Sequence, residues 1–62
     1  MIWVLKNGEE IIEEFATSHS ISLEDAIELC GFEKLNAVHI DDPGYKYKGK
    51  ELWYDDLSLE LK

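Results

Sequence analysis

The sequence predicts a small α+β domain: an antiparallel β-sheet built from an N-terminal and a C-terminal hairpin, with one α-helix packed on one face. Three observations predict it. The chain has 62 residues, near the lower limit for a single apolar core, so residues 1–62 form one domain. Two turn dipeptides, Asn7-Gly8 and Lys48-Gly49, are flanked by strand-like segments. Only residues 22–31 carry clear start and stop signals of a helix.

The first hairpin is predicted from the apolar run at residues 2–5 and from Asn7-Gly8, the dipeptide that a type I′ turn prefers. Pairing across this turn would place Lys6 opposite Glu9 and Val4 opposite Ile11.

Residues 9–16 also fit a helix, with apolar side chains at helical spacing and Asn7 and Glu10 as a capping box. The hairpin is slightly favoured because residues 17–20, which follow at once, are poor helix formers. The sequence leaves this choice between strand and helix open.

The helix is predicted over residues 23–30. Ser22 is the N-cap residue, Glu24 and Asp25 lie in the first turn where the macrodipole favours acids, and Gly31 follows the last turn. The predicted apolar stripe consists of Leu23, Ala26, Ile27 and Cys30.

The C-terminal part is predicted to be β-structure. Residues 36–40 suggest a strand that ends at the turn residues 41–44. A second hairpin is predicted around Lys48-Gly49-Lys50, with the tyrosines of residues 45–48 on one face and the lysines on the other. Residues 57–62 alternate leucine with polar residues, and a bulge or turn is expected near Asp55-Asp56 because Trp53 shares the leucine phase whereas Leu52 and Tyr54 do not.

The stretch GYKYKGKE, residues 44–51, stops one letter short of a phosphate-binding loop. Such a loop needs a buried parallel strand before it, a helix that starts at the lysine, and Ser or Thr after the lysine. Glu51 follows Lys50 instead, and strand patterning continues beyond it. We therefore expect a hairpin and no nucleotide or other cofactor.

Charge is the strongest global signal. The net charge is −8, with no arginine, and it is uneven: residues 1–44 hold ten acids and two lysines, and residues 45–62 hold four of each. Such a balance repels nucleic acid and anionic lipid. The aromatic and cationic stretch YKYKGKELWY resembles in composition a platform for single strands, but the acidic field argues against direct nucleic-acid binding.

Metal binding and catalysis have little support in the sequence. The possible ligands His19, Cys30, His39, Asp41 and Asp42 show no spacing typical of a zinc or calcium site. No nucleophile elbow or oxyanion motif accompanies the serines and histidines. The single cysteine excludes an intrachain disulfide, and no signal peptide or apolar run of membrane-spanning length is visible. We expect a non-enzymatic cytoplasmic protein that binds no metal and no membrane.

The acidic side chains are then the main candidates for function. We expect a protein-binding module, an inhibitor whose carboxylates imitate a phosphate backbone and occupy a basic nucleic-acid-binding surface of a partner. In size and charge the chain resembles phage-encoded inhibitors of host-defence nucleases, of the anti-CRISPR and anti-restriction class, although no motif identifies a family. The predicted partner-binding residues are Glu9, Glu10, Glu13, Glu14, Glu24, Asp25 and Glu28, with Trp53 and Tyr54 as an apolar anchor.

Three alternatives remain open. The acidic face can serve solubility alone. The chain can be a self-associating structural or interaction subunit, such as a homodimer, because a marginal core gains from pairing an edge strand. It can also be an antitoxin or immunity protein that neutralises one cognate toxin.

Overall fold

The computed structural model describes residues 1–35 and 43–62, and within them the α+β fold class is confirmed. The expected single sheet is divided into two three-stranded antiparallel sheets with one α-helix. The elements are β1 (Ile2–Asn7), β2 (Glu10–Ala16), α1 (Leu23–Leu29), β3 (Glu33–Lys34), β4 (Gly44–Tyr47), β5 (Lys50–Trp53), a 3₁₀ turn (Tyr54–Asp56) and β6 (Leu57–Leu61).

The first sheet has the strand order β2-β1-β6. The hairpin prediction is confirmed, and β2 (Glu10–Ala16) is a strand rather than a helix. The C-terminal strand β6 pairs with β1, so the two ends of the chain share one sheet. Strand β1 lies between them, and this central position explains why Trp3, Val4 and Leu5 are all buried.

The predicted register of the first hairpin is wrong. Asn7 pairs with Glu10 and Lys6 with Ile11, so the two loop residues are Gly8 and Glu9. Gly8 has a φ of +60°, the conformation that a type II′ turn demands of its first central residue. A bulge then shifts the register, so that Leu5 pairs with Glu13 and Val4 with Glu14.

The helix prediction is confirmed at its start and is one residue too long at its end. The Ser22 side chain accepts a hydrogen bond from the Asp25 backbone N–H, and the Asp25 carboxylate accepts one from the Ser22 N–H, which completes a capping box. Cys30 is the C-cap, and Gly31 follows with a φ of +77°. Ala26 and Ile27 are the buried residues of α1.

The second sheet has the order β3-β4-β5, and the predicted second hairpin is confirmed. Lys48 and Gly49 form its two-residue loop, and both have positive φ, as a type I′ turn requires. Residues 44–51 therefore run as strand, turn and strand. The tyrosines at 45 and 47 are half-buried, whereas Lys46 between them is exposed.

The expected turn near Asp55-Asp56 is the 3₁₀ turn. It resets the side-chain phase, so that Leu52 before it and Leu57 after it both point inward, while Trp53 remains 40% exposed. Ile27, Leu52 and Leu57 form a core cluster. The partly buried side chains that pack on it are Ile12, Leu23, Phe32, Tyr45, Tyr47 and Tyr54.

Two sequence predictions fall outside the described residues: the strand at residues 36–40, and the part of the next turn that includes Asp41 and Asp42. Among the helices of the described chain, none is long and apolar enough to cross a membrane.

Candidate functional site

The acids of the first hairpin lie next to lysines from the C-terminal half of the chain. Lys50 Nζ lies 2.5 Å from Glu10 Oε1, and Lys48 Nζ lies 2.7 Å from Glu13 Oε1. Glu9 is exposed in the loop of the hairpin. Two of the four predicted hairpin carboxylates are thus neutralised by the second hairpin.

Two further ion pairs lie on the first sheet. Lys62 Nζ is 2.9 Å from Glu14 Oε1, and Lys6 Nζ is 3.0 Å from Glu60 Oε2. Glu14 and Glu60 are the partners of Val4 on the neighbouring strands. We attribute the burial of Val4 in part to the aliphatic stems of these lysines. The four acids Glu10, Glu13, Glu14 and Glu60 are called the lysine-paired acids below.

In the pair between Glu13 and Lys48, each side chain shifts the pKa of the other. A hydrogen bond from Lys48 and, to a smaller extent, one from Tyr47 lower the pKa of Glu13. The same carboxylate raises the pKa of Lys48. Lys48 Nζ also lies 5.3 Å from the centroid of the Tyr47 ring, within range of a cation–π contact. This cluster fastens the second hairpin to β2.

The acids of the helix are in a different situation. Glu24, Asp25 and Glu28 are all exposed on α1 and are called the α1 acidic surface below. Asp25 serves the capping box. Glu24 accepts a hydrogen bond from the Tyr54 hydroxyl, which lowers the pKa of Glu24 and raises that of Tyr54. In the described part of the chain, no lysine forms an ion pair with these three carboxylates.

The α1 acidic surface has a local cost. Glu24 and Glu28 are four residues apart and Asp25 and Glu28 are three apart, so their side chains are neighbours of like charge. Glu28 also lies in the last turn, where the macrodipole disfavours an acid, and that turn contains no basic residue. Glu28 therefore weakens the helix, whereas Glu24 and Asp25 lie in the first turn, where the macrodipole favours acids.

The predicted apolar anchor is divided between two roles. Trp53 lies opposite Gly44 across the second hairpin, and its ring covers this glycine so closely that an added Cβ would lie 2.6 Å from Trp53 Cζ3. Tyr54 is half-buried and bonded to Glu24. The structure therefore joins Tyr54, but not the hairpin acids, to the α1 acidic surface.

A groove that sequence reasoning missed lies between α1 and the segment at residues 17–21. Its volume is about 540 Å³. It is lined by Thr17, Ser18, His19, Ile21, Asp25, Glu28 and Leu29. The available signal was Leu29, an apolar helix residue outside the predicted stripe, and its side chain is 64% exposed.

Metal-binding and nucleophilic groups are not assembled in residues 1–35 and 43–62. No three His, Cys, Asp or Glu side chains there are placed to hold a metal ion. Ser18 Oγ lies 3.1 Å from His19 Nδ1, but the two residues are adjacent and exposed. Burial raises the pKa of the Cys30 thiol, which disfavours the thiolate that a nucleophile requires. His39, Asp41 and Asp42 lie outside the described residues.

Comparison with protein-family models, with curated proteins and with solved structures finds no significant match.

Proposed function

We propose that this protein is a non-enzymatic binding module whose α1 acidic surface occupies a basic, nucleic-acid-binding surface of a partner protein. One observation carries the proposal. Four of the six lysines pair with acids of the first sheet, whereas the α1 acids form no ion pair with lysine in the part of the chain that the structure describes. The negative charge of the three α1 acids is therefore not balanced by a lysine partner in that part of the chain.

The arrangement of the α1 acids suits a cationic groove. Glu24 and Glu28 are about one helical turn apart, about 6 Å along the axis, so a rigid element presents successive negative charges in a line, as a nucleic-acid strand does. Because the α1 carboxylates are exposed to solvent, cationic side chains of a partner can pair with them without the desolvation of any buried group of this chain. Their repulsion within α1 is relieved when a basic surface binds.

The partner class follows from charge and size. A small acidic chain that blocks a nucleic-acid channel fits an inhibitor of a cytoplasmic nuclease, and the analogy of size and charge with phage-encoded anti-CRISPR and anti-restriction proteins points to a host-defence nuclease. No cofactor or metal is needed for this role. Direct nucleic-acid binding is disfavoured because the excess charge is negative.

The test is a pull-down from bacterial lysate at low salt with two variants of equal charge. Glu24→Gln/Glu28→Gln removes two of the three charges of the α1 acidic surface. Glu10→Gln/Glu14→Gln removes the charges of two lysine-paired acids. We expect the wild type and the second variant to retain a basic nucleic-acid-binding protein that added duplex DNA or a salt gradient releases. The first variant should lose it.

Equal retention by both variants would contradict the proposal, since charge without position would then suffice. Capture that duplex DNA does not release would contradict the claim that the partner surface is one that binds nucleic acid.

A second candidate is self-association. Strand β6 lies at an edge of the first sheet, and the Leu61 side chain on it is 59% exposed. A second copy could pair along this edge and cover the exposed leucine. In that case the melting temperature should rise with protein concentration, and the Glu24→Gln/Glu28→Gln variant should behave like the wild type.

A further inference from the structure

The groove beside α1 is held open by contacts at its outer wall. The indole N–H of Trp3 donates a hydrogen bond to Thr17 Oγ1 at 2.7 Å, and this hydroxyl donates to the His19 carbonyl at 2.6 Å. The N-terminal amine of Met1 donates to the Thr17 carbonyl at 2.8 Å. Because a buried tryptophan and the chain terminus both anchor this wall, the groove exists before any ligand binds.

The lining combines an apolar surface with negative charge. Ile21 is half-buried in the outer wall, and Leu29 presents most of its side chain to solvent from the helix. Asp25 and Glu28 lie on the same helix beside Leu29. One oxygen of Asp25, Oδ2, accepts the long 3.3 Å capping hydrogen bond from Ser22, which leaves its second oxygen for another donor.

This combination selects a cationic side chain with an apolar stem. Arginine packs its methylene groups against apolar side chains while its guanidinium, which is weakly hydrated, donates to carboxylates in a forked geometry. A neutral apolar ligand would leave the two carboxylates unused. An anion would be repelled by them.

We propose that this groove binds an arginine side chain of the partner, with its stem against Ile21 and Leu29 and its guanidinium at Asp25 and Glu28. The inference rests on the function proposed above and names the group that the partner inserts. The occupant is a single arginine with its flanking backbone, since a groove of about 540 Å³ falls within the usual range for sites of small ligands.

The direct test uses a blocked tripeptide, acetyl-Ala-Arg-Ala-amide, titrated into ¹⁵N-labelled protein. The control peptide carries citrulline, which has nearly the same shape and no charge. We expect saturable shifts of the amide signals of Ser18 to Ile21 and of Glu28 and Leu29. Affinity for the citrulline peptide should be about tenfold or more lower, because a hydrogen bond to a charged group contributes roughly 1.5–3 kcal/mol.

Two variants locate the site. Leu29→Ser and Glu28→Gln should each weaken binding of the arginine peptide several-fold. Ile11→Ser is the matched control, because Ile11 is similarly exposed, at 59%, and does not line the groove. Circular dichroism of each variant confirms that the fold is intact.

Equal affinity for both peptides, or shifts spread over acids far from the groove, would overturn the inference. The Leu29→Ser variant distinguishes a failure of the arginine-groove inference from a failure of the proposed function. If Leu29→Ser binds the captured partner like the wild type while Glu24→Gln/Glu28→Gln loses it, the arginine groove is wrong and the acidic binding surface stands.

Discussion

Replacing Gly44 with alanine tests how Trp53 is held against the second hairpin. The two residues are cross-strand partners, and the indole ring covers the glycine as aromatic rings cover glycines in designed sheets. A Cβ atom at position 44 would lie 2.6 Å from Trp53 Cζ3 and 2.9 Å from Cε3. The ring must therefore retreat by about 1 Å to restore normal contact.

The expected cost follows from overpacking. Inserting one carbon into a packed site costs roughly 1–3 kcal/mol, and Trp53 is 40% exposed, so the ring can move outward and keep the cost within this range. Since about 1 kcal/mol shifts the melting temperature of a domain this small by roughly 4–8 °C, Gly44→Ala should lower it by about 4–24 °C. Thermal unfolding followed by circular dichroism measures this shift.

A double-mutant cycle isolates the role of the ring. In a Trp53→Ala background the space above position 44 is empty, and alanine is favoured over glycine in a strand by roughly 0.5–1 kcal/mol. Gly44→Ala should then be neutral or stabilising, so the sign of its effect changes. If Gly44→Ala still costs 1 kcal/mol or more without the ring, the steric argument is refuted. Gly8→Ala is the control, because its cost arises from a φ of +60° and should not depend on Trp53.

Three further predictions concern charge and capping. Glu28→Gln should raise the free energy of unfolding by about 0.3–1 kcal/mol, since it removes an acid from the last turn of α1 and its repulsion with Glu24; a lower urea midpoint would contradict this. Ser22→Ala should cost about 1 kcal/mol and Ser22→Gly only a few tenths; no loss on Ser22→Ala in urea unfolding would show that the capping bond contributes nothing. The pKa of Glu13 is lowered from 4.5 by Lys48, so the pair stabilises the fold above pH 4.5 and loses this contribution as the pH falls through the lower, folded-state pKa. The wild type should therefore be up to about 1 kcal/mol more stable than Glu13→Gln at pH 7, and the difference should shrink as the pH falls below 4.5; a constant difference would exclude titration of Glu13 as its cause.

Local signals in the sequence predicted most of the elements. The second hairpin turn, the capped start of the helix and the turn near residues 55–56 all depend on residues adjacent in the chain, and each lies where it was expected. The register of the first hairpin failed because Asn7-Gly8 satisfies two turn types. The sequence favoured type I′ with Asn7 in the loop, whereas the protein uses Gly8 as the first residue of a type II′ turn and corrects the phase with a bulge.

The candidate site was less accessible to sequence reasoning. The groove requires the segment at residues 17–21 to lie beside α1, and this placement depends on the hydrogen bond between Trp3 and Thr17. The division into two sheets likewise depends on the pairing of β6 with β1, which joins the two ends of the chain. Neither contact leaves a local pattern in the sequence. The one available sign of the groove was Leu29, an apolar residue outside the predicted apolar stripe of the helix.

The distribution of charge along the sequence differs from its distribution in space. In sequence, the acidic excess lies in residues 1–44 and residues 45–62 are balanced. In space, three lysines of the balanced part reach back over 35, 40 and 48 residues to Glu13, Glu10 and Glu14. Three of the four hairpin acids that the sequence groups with the α1 acids are therefore paired with lysines of the same chain. Because exposed ion pairs contribute little to stability, the main consequence of this pairing is electrostatic: the charges of Glu10, Glu13 and Glu14 are balanced locally, whereas the three α1 acids have no lysine partner in the described part of the chain.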